Sequence, residues 1–256
     1  MAWSVSHFTR YIALKDYLAR SGGLLPVHGI QISLPMKYAV QFYRQIFNNS
    51  YEAREVELVR RFLPTDRGVV ELGCSLGIVA SVIRNHLNDD VAMTSVEANP
   101  NLVDIARANI ARHDPKGRAK LLFAALSYGG REVSFSIGRN AHVNALAGSN
   151  GDAGNVETVR VPAITLAEIV EQMGGGKGMS LVCDIEGAEW ELAENDRTAL
   201  KHFDVIVVET HPDVFRRAGR DPEDFHAMVR DAGFRAVAQE GDVFVYLRDA
   251  KRKAGR

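Results

Sequence analysis

Residues 69–77 of the chain, Val-Val-Glu-Leu-Gly-Cys-Ser-Leu-Gly, limit the fold more than any other segment. A short apolar run that ends in a glycine-containing turn is typical of a buried strand leading into a helix. A second apolar run, residues 91–96, ends at the acid Glu97. Glycine in such a turn lets the backbone approach a ligand, and an acid at the tip of the next strand accepts hydrogen bonds from ribose hydroxyls. Together the two segments predict a site for a cofactor that contains a nucleoside.

The spacing of the glycines distinguishes between such cofactors. Glu71, Gly73 and Gly77 form the pattern acid-x-Gly-x-x-x-Gly, whereas dinucleotide-binding turns have G-x-G-x-x-G and phosphate-binding P-loops carry a lysine. An acid two residues before the first glycine suits a cationic ligand better than a phosphate. S-adenosylmethionine has a ribose, an ammonium group and a sulfonium but no phosphate, so it fits the pattern. The structural alternative is a turn that only joins a strand to a helix.

The composition is that of an ordinary globular protein. The chain has 256 residues, 46% of them apolar and 25% charged, with a formal net charge of −1, so no global charge draws it to nucleic acid or to an anionic membrane. The sequence has two cysteines, Cys74 and Cys183, in no zinc-binding pattern, and this low number favours the reducing cytoplasm. Because Arg10 and Lys15 interrupt the amino-terminal segment, we expect no signal peptide, and we expect no membrane span.

Three segments are predicted along the chain. Residues 1–64 are expected to form a mostly helical appendage, since apolar residues recur at helical spacing in 38–47 and 51–62. Residues 65–249 are expected to form the α/β domain, and residues 250–256 a basic tail. In the α/β domain, strands are predicted at 68–72, 91–97, 120–125, 179–184 and 205–209, and helices at 77–85, 102–112, 165–173 and 222–231.

A polar segment rich in glycine and asparagine interrupts the alternation of strands and helices. It spans residues 138–155, between two short predicted strands at 132–137 and 157–161. A loop of that length inside a domain is usually functional or disordered. It contains His142, which a closing lid would carry over a bound acceptor, although a solvated loop histidine is the plain alternative.

The carboxyl-terminal part of the domain indicates the class of sheet. Residues 234–239 and 243–248 are two strand-like runs separated by Glu240-Gly241-Asp242, and a gap that short means an antiparallel hairpin. A parallel sheet that ends in an antiparallel hairpin is typical of class I methyltransferases, whereas nicotinamide-binding domains usually stay parallel. We therefore predict a doubly wound α/β fold of the class I methyltransferase, Rossmann-like type, independently of the glycine turn.

A group of acids follows the fourth predicted strand. Asp184, Glu186 and Glu189 surround Gly187 in the segment Asp-Ile-Glu-Gly-Ala-Glu. The carboxyl ends of parallel strands are where open α/β sheets bind ligands, and residues two apart share a face of an extended chain. The alternative is that these acids stabilise the start of the next helix.

With these motifs the chain resembles the FkbM family of methyltransferases over roughly residues 65–235. The segment 184–189 is the most specific part of the resemblance. The upstream Ser50-Tyr51-Glu52 is similar to the segment that precedes the fold in such proteins. The other matching segments are Glu71-x-Gly73-x-x-x-Gly77, Val96-Glu97-Ala98-Asn99-Pro100, Ala125-Leu126-Ser127 and Thr165-Leu166.

The resemblance implies methyl transfer from S-adenosylmethionine, commonly to a hydroxyl of a sugar, polyketide or peptide-type product. It implies that Glu97 holds the ribose, that Asp184 and Glu186 face the acceptor, and that residues 125–127 lie by the adenine. Glu71, Gly73 and Gly77 would line the methionine end. The full set of expected cofactor-binding residues is Tyr51, Glu71, Gly73, Cys74, Ser75, Gly77, Glu97, Ala98, Asn99, Ala125, Leu126 and Ser127.

Three positions depart from the family pattern. The family usually has Lys where this chain has Cys183, and Asp where it has Tyr128 and Ala167. Loss of the lysine removes a charge partner for the acids at 184 and 186. The other two departures concern local turns and caps, and none of the three removes an expected cofactor residue.

An alcohol acceptor is almost fully protonated at neutral pH, so a base or a metal ion has to assist its methylation. The candidate catalytic residues are Asp184, Glu186, His211 and His142, with His211 or Asp184 as the base. For His211, which follows the fifth strand, a turn histidine bonded to backbone is the alternative. No metal site is predicted, because a metal shared by Asp184 and Glu209 has no support from ligand spacing.

Two other functions compete with an O-methyltransferase. One is a nicotinamide-dependent oxidoreductase, which the glycine spacing and the terminal hairpin oppose. The other is a cofactor-binding protein with an inactive site, which the departure at Cys183 keeps open. The expected partner is a small-molecule or glycan acceptor rather than nucleic acid or a membrane, and a homodimer is left open.

Overall fold

The computed structural model describes residues 5–137, 144–146 and 157–249. The helices are α1 (Val5–Arg20), α2 (Met36–Gln41), α3 (Tyr43–Phe47), α4 (Ala53–Phe62), α5 (Ile78–His86), α6 (Pro100–Arg112), α7 (Leu166–Gln172), α8 (Glu189–Asn195), α9 (Pro212–Arg217) and α10 (Pro222–Asp231), with a short 3₁₀ helix at Ala199–His202. The strands are β1 (Leu25–Val27), β2 (Ile30–Ile32), β3 (Val69–Leu72), β4 (Met93–Glu97), β5 (Ala119–Phe123), β6 (Ala125–Leu126), β7 (Glu132–Ile137), β8 (Asn144–Leu146), β9 (Glu157–Ile164), β10 (Met179–Cys183), β11 (Phe203–Glu209), β12 (Phe234–Glu240) and β13 (Val243–Arg248).

A seven-stranded sheet in the order β12-β13-β11-β10-β3-β4-β5 forms the centre of the molecule. The neighbours from β11 to β5 run parallel, and β13 pairs antiparallel with both β11 and β12. The antiparallel terminal hairpin predicted from residues 234–248 is therefore confirmed, as is the mostly parallel, Rossmann-like α/β fold. The last strand of the chain lies inside the sheet, between β11 and β12.

Both faces of the sheet are covered, as the continuous apolar runs predicted. Successive residues of a strand point to opposite faces, and here Val69 joins one apolar cluster while Val70 joins the other. The first cluster includes α4, α5 and α6, and the second includes α7, α8 and α10. Residues of β3 and β10 are buried throughout, so these two strands form the rigid centre from which the site projects.

The amino-terminal segment is less helical than the periodicity predicted. The expected helix at 38–47 is divided at Phe42 into α2 and α3, and β1 and β2 form an unpredicted hairpin. His28 and Gly29 join these strands with φ of 48° and 76°, which is the backbone of a tight turn between twisted strands. Helix α4 packs on α5 and on the sheet at β11 and β13. A boundary at residue 64 between an appendage and the α/β domain stays a prediction.

A second sheet, in the order β6-β9-β7-β8, lies in the segment between β5 and α7. The predicted short strands at 132–137 and 157–161 correspond to β7 and to most of β9. Part of the predicted loop is strand β8, which pairs antiparallel with β7. His142 and the remaining residues of that loop lie outside the described residues, as does the basic tail at 250–256.

Candidate active site

A cavity opens at the carboxyl ends of β3, β4 and β10. The chain adds β4 and β5 on one side of β3 and then returns to add β10 and β11 on the other, and such a switch in strand order leaves a crevice that binds ligands. The empty volume is about 660 Å³, part of it open to solvent. The cavity is lined by Glu52, Leu72, Gly73, Ser75, Val96, Glu97, Ala98, Ala124, Ala125, Leu126, Phe135, Asp184, Ile185, Glu186 and Ala188.

Glu97 is fixed in the wall of this cavity by main-chain amides. Its Oε2 accepts a hydrogen bond from the Ser75 amide at 2.6 Å, and its Oε1 accepts one from the Asn99 amide at 2.6 Å. Burial raises the pKa of Glu97 to about 7, although these amides act to lower it. A carboxylate has about four acceptor sites, so these amides leave acceptor capacity for hydroxyl groups of a ligand.

Glu71 lies behind the cavity wall, within the sheet. Its Oε2 accepts a hydrogen bond from Ser95 Oγ at 2.6 Å, while its buried Oε1 has no hydrogen-bond partner among the described residues. Burial raises the pKa of Glu71 to about 8, against the lowering effect of the Ser95 hydrogen bond. The side chain is therefore a buried acid beside the site rather than one of its lining groups.

The two glycines of the turn allow close packing against other segments of the chain. A Cβ on Gly73, whose φ is +86°, would lie 1.7 Å from the Asp184 carbonyl oxygen, so the end of β3 can meet the residue after β10 only with glycine there. A Cβ on Gly77, whose φ is +74°, would lie 2.7 Å from the Cα of Ala106 in α6. Gly73 also lines the cavity, whereas Gly77 sets how closely α5 and α6 pack.

The remaining residues predicted to bind the cofactor fall into two groups. Ser75, Ala98, Ala125 and Leu126 line the cavity. The buried residues Tyr51, Cys74, Asn99 and Ser127 lie behind the lining. Asn99 caps α6 by accepting a hydrogen bond from the Asn101 amide, and the Tyr51 ring packs edge-on against Phe42.

Sequence reasoning missed several lining residues. Glu52 and Phe135 are the most informative, since one is charged and the other aromatic. Glu52 was within a segment that carried the family resemblance, but only the fold shows that its side chain reaches the cavity. Phe135 lies on β7, and a single aromatic in a short strand gives no signal of a ligand.

The acids after β10 meet a histidine that follows the adjacent strand β11. We call Asp184, Glu186 and His211 the Asp–Glu–His cluster. His211 Nε2 lies 3.6 Å from Asp184 Oδ1 and 3.4 Å from Glu186 Oε2. On the other side of the ring, Nδ1 donates to Glu189 Oε1 at 3.2 Å. The structure thus brings together three of the four predicted catalytic residues.

The sequence left open whether the acids after β10 bind a ligand or stabilise the start of the next helix, and Glu189 stabilises the helix start. Its Oε1 accepts hydrogen bonds from the Ile185 and Gly187 amides, at 3.0 and 3.2 Å, in the turn that enters α8. Glu189 is a structural acid that stabilises this turn and orients the ring of His211. Asp184 and Glu186 instead line the cavity.

The charges of the cluster perturb one another. Burial raises the pKa of Asp184 above its usual range, as do Glu209 and Glu186, while His211 acts to lower it. Burial also raises the pKa of Glu186, to about 7. For His211 burial lowers the pKa, but the Glu189 hydrogen bond and the nearby carboxylates outweigh it and raise the value to about 10. Such mutually perturbed groups in a cavity are typical of catalytic sites.

Backbone strain is concentrated around the same cavity. Glu52, Ser75 and Glu186 have φ of 47°, 48° and 54°, a left-handed conformation that non-glycine residues rarely adopt. All three line the cavity. Strain of this kind persists where the surrounding structure imposes it, commonly at functional sites.

The fold and the cavity define a class I methyltransferase that uses S-adenosylmethionine. The sequence profile of the methyltransferase FkbM domain matches residues 77–236, and the chain belongs to that family. The family resemblance drawn from the motifs is confirmed, and so is the expected cofactor. The nicotinamide alternative is set aside.

Several solved structures share features of this fold at low sequence identity. An O-methyltransferase from Bacillus cereus in complex with SAH is 14% identical, with 94% of this chain and 90% of that chain covered and a TM-score of 0.46. A methyltransferase from Geobacter sulfurreducens is 14% identical, with 94% of this chain and 88% of that chain covered and a TM-score of 0.44. The Methanococcus jannaschii fibrillarin pre-rRNA processing protein is 15% identical, with 72% and 67% covered and a TM-score of 0.42. No curated protein sequence matches the chain. These similarities support no conclusion about the acceptor.

No helix in the described part of the chain has the length and apolar character needed to cross a membrane.

Proposed function

We propose that this methyltransferase transfers the methyl group to a hydroxyl of a sugar, glycan or natural-product acceptor. The observation that carries the proposal is the Asp–Glu–His cluster, in which Asp184 and Glu186 line the cavity and His211 lies within 3.6 Å of both. An alcohol has to lose its proton to become a good nucleophile, and perturbed carboxylates beside an oriented histidine are suited to assist that loss.

In this proposal the cavity holds the cofactor along its length. Glu97 binds the ribose hydroxyls with its free acceptor sites. Ala98, Ala125, Leu126 and Phe135 give an apolar surface for the adenine. The acids at the other end, Glu52 among them, favour the positive charges of the methionine end. The residues present therefore fit the charge and polarity of S-adenosylmethionine.

The leaving group of the proposed reaction is a neutral thioether, so it needs no acid from the protein. The acceptor oxygen forms a bond to the methyl carbon, the carbon–sulfur bond breaks, and its electron pair stays on sulfur in a neutral thioether. The hydroxyl proton leaves to the Asp–Glu–His cluster and from there to solvent. The protein aligns the reacting atoms and excludes water, and these two effects lower the activation barrier.

The charge distribution favours a small or glycan acceptor over nucleic acid. Nucleic-acid-binding surfaces are rich in lysine and arginine because they neutralise phosphates. Here the net charge is −1, and the charged residues that line the cavity are Glu52, Glu97, Asp184 and Glu186. Four acids at the site of transfer would repel a phosphate backbone.

The segment before residue 65 is proposed to be part of the active site. Glu52 precedes α4 and lines the cavity, and Tyr51 is buried beside it. We propose that this segment closes the cavity at the methionine end of the cofactor. A chain that lacks residues 1–64 would then bind the cofactor more weakly than the full chain.

Calorimetric titration with S-adenosylhomocysteine tests the cofactor half of the proposal. We expect binding to the wild type, no binding of NAD, and binding about 10–100-fold weaker in Glu97→Ala, because one or two charge-assisted hydrogen bonds are lost. Glu194→Ala removes an exposed acid of α8 and should bind like the wild type. Equal affinity of Glu97→Ala and wild type would contradict the role given to Glu97.

Transfer of labelled methyl groups to separate acceptor pools tests the other half. Glycosides and hydroxylated natural products form one pool, amines a second and total tRNA a third. We expect label only in the first pool, as an ether stable to base. Label in tRNA or in amines, with none in the hydroxylated pool, would refute O-methylation while leaving the methyltransferase class intact.

A further inference from the structure

The ring of His211 is held with one nitrogen facing two carboxylates. Since Nδ1–H donates to Glu189, Nε2 is the nitrogen left to act as a ligand or acceptor. It points between Asp184 Oδ1 and Glu186 Oε2. A carboxylate that fixes the far nitrogen of an imidazole is the usual support of a metal-binding histidine.

The two distances from His211 Nε2 to the carboxylates are close to the distances between neighbouring ligand atoms of a bound metal ion. Metal–nitrogen and metal–oxygen bonds of about 2.0–2.2 Å place neighbouring ligand atoms about 3.0–3.5 Å apart. The measured separations from His211 Nε2 are 3.6 and 3.4 Å, and all three ligand atoms lie within 4.8 Å of one another. Both contacts with Nε2 are longer than a normal N–H···O hydrogen bond of about 2.7–3.2 Å. The three atoms are therefore close together without being hydrogen-bonded to one another.

The negative charge of the cluster is poorly compensated. Within residues 5–137, 144–146 and 157–249, neither lysine nor arginine forms an ion pair with Asp184, Glu186 or Glu189. The Glu189 side chain is only 1% exposed, and its Oε2 has no hydrogen-bond partner there. Asp184 Oδ1 is also a buried atom with no hydrogen bond in the same set. Uncompensated buried carboxylates are costly, and a bound cation removes that cost.

We propose that Asp184, Glu186 and His211 bind a divalent transition-metal cation, with Glu189 as the positioning residue for His211. One imidazole and two carboxylates are a donor set suited to Mn²⁺ and similar ions. The site adjoins the cofactor cavity, since Asp184 and Glu186 line both. Its catalytic role, which rests on the proposed O-methylation, is to lower the pKa of the acceptor hydroxyl and fix its oxygen.

The sequence did not reveal this site because the ligands come from two strands. Asp184 and Glu186 follow β10, and His211 follows β11. The parallel pairing of these strands brings their carboxyl ends together. The left-handed backbone of Glu186, with φ of 54°, is a local feature that no spacing rule predicts.

Titration with Mn²⁺, without cofactor or acceptor, tests the site directly through the electron paramagnetic resonance signal of free Mn²⁺. We expect one saturable site in the wild type. Binding should weaken at least tenfold in Asp184→Asn and in His211→Ala, and about tenfold in Glu189→Gln. Glu194→Gln changes an exposed acid and His202→Ala a partly exposed histidine, both outside the cluster, and both variants should bind like the wild type. Circular dichroism checks that each variant is folded.

Absence of a saturable site in the wild type, or equal binding by all variants, would overturn the proposal. Methyl transfer that continues at full rate after treatment with EDTA, in enzyme shown to be free of metal, would also overturn it. In both cases O-methylation could still hold, with the cluster acting as the base. Conversely, one Mn²⁺ site lost in the ligand variants, with no label in any hydroxylated acceptor, would support the metal site and refute the proposed function.

Discussion

Glu97 and Glu186 line the same cavity, and burial raises the pKa of each to about 7, but the two are held in different ways. Glu97 is fixed by two main-chain amides, those of Ser75 and Asn99. Glu186 has a strained backbone and faces the ring of His211. The part of the cavity proposed to hold the cofactor, here the cofactor half, thus positions its acid with main-chain donors. The part proposed to face the acceptor, here the acceptor half, positions its acids among other charged side chains.

The two halves of the cavity differ in how well their charges are balanced in the protein without a ligand. Main-chain donors orient a carboxylate without adding charge, so the ribose site proposed at Glu97 is formed in the protein alone. Opposed carboxylates around one histidine leave excess negative charge, which a cation, a proton or an acceptor has to balance. Affinity for the cofactor should therefore depend on the first half and the rate of transfer on the second.

The largest effect is expected from His211→Ala. We expect kcat for methyl transfer to fall about 10²–10⁴-fold, because the proton or metal function of the cluster is lost. The dissociation constant for S-adenosylhomocysteine should change less than threefold, since Glu97 and its amides are untouched. Steady-state kinetics and calorimetry on the same preparation give both numbers. If His211→Ala weakens cofactor binding as much as Glu97→Ala does, the division into two halves is wrong.

Gly73→Ala tests the point where the two halves meet. The new Cβ would lie 1.7 Å from the Asp184 carbonyl oxygen, at a φ of +86°, so we expect a loss of about 3 kcal/mol in the free energy of unfolding. Urea denaturation measures this loss. Gly129→Ala is the control, because a Cβ there meets no atom within 4 Å, and it should change stability by less than about 0.5 kcal/mol. If both substitutions lower the free energy of unfolding equally, the close contact with Asp184 does not explain the effect of Gly73→Ala.

A pH series on the cofactor-free protein tests the burial of acids on the cofactor side. The pKa of Glu71 is raised to about 8, so its protonated form is favoured by folding. Its contribution to stability is therefore complete below about pH 4.5 and is lost as the pH rises to 8. Between pH 5 and pH 8, the wild type should lose on the order of 2 kcal/mol more than Glu71→Gln. Glu194→Gln should follow the wild type, and parallel curves for Glu71→Gln and wild type would contradict the assignment.

The smallest effect is a gain in stability from Glu186→Gly. Glycine adopts a φ of 54° freely, so we expect the free energy of unfolding to rise by about 1 kcal/mol while transfer is lost. Glu186→Ala removes the same carboxylate but keeps a Cβ, so it separates backbone strain from charge repulsion. If Ala stabilises as much as Gly, repulsion between carboxylates rather than backbone strain accounts for the gain.

The parts of the fold that depend on local patterns were predicted from the sequence. Apolar runs located β3, β4, β10 and β11, and the short gap at 240–242 located the terminal hairpin. The predicted helix at 222–231 coincides with α10, whose start is capped by the Asp221 side chain accepting a hydrogen bond from the Glu223 amide. Hairpin β1–β2 was missed because its strands have three residues each, too few for an alternating pattern to show.

The site was predicted less completely, because its geometry depends on contacts between distant segments. The sequence placed Glu97, Asp184 and Glu186 at strand ends, where the structure has them lining the cavity. It gave no account of Gly73 and Gly77 as contacts to Asp184 and Ala106, since both partners lie far along the chain. The approach of His211 to the acids likewise follows from strand order, which a single sequence does not specify.

The contact between Gly77 and Ala106 has a consequence for how this enzyme can vary. Helix α6 begins beside Glu97, and the Asn99 amide at its cap donates to that carboxylate. Because Ala106 lies against the backbone of Gly77, we expect a larger side chain at either position to displace α6 and shift the Glu97 oxygen atoms proposed to bind the ribose. Two residues outside the cavity lining therefore set the position of the helix that carries the Asn99 amide, so we expect substitutions at position 106 to be poorly tolerated.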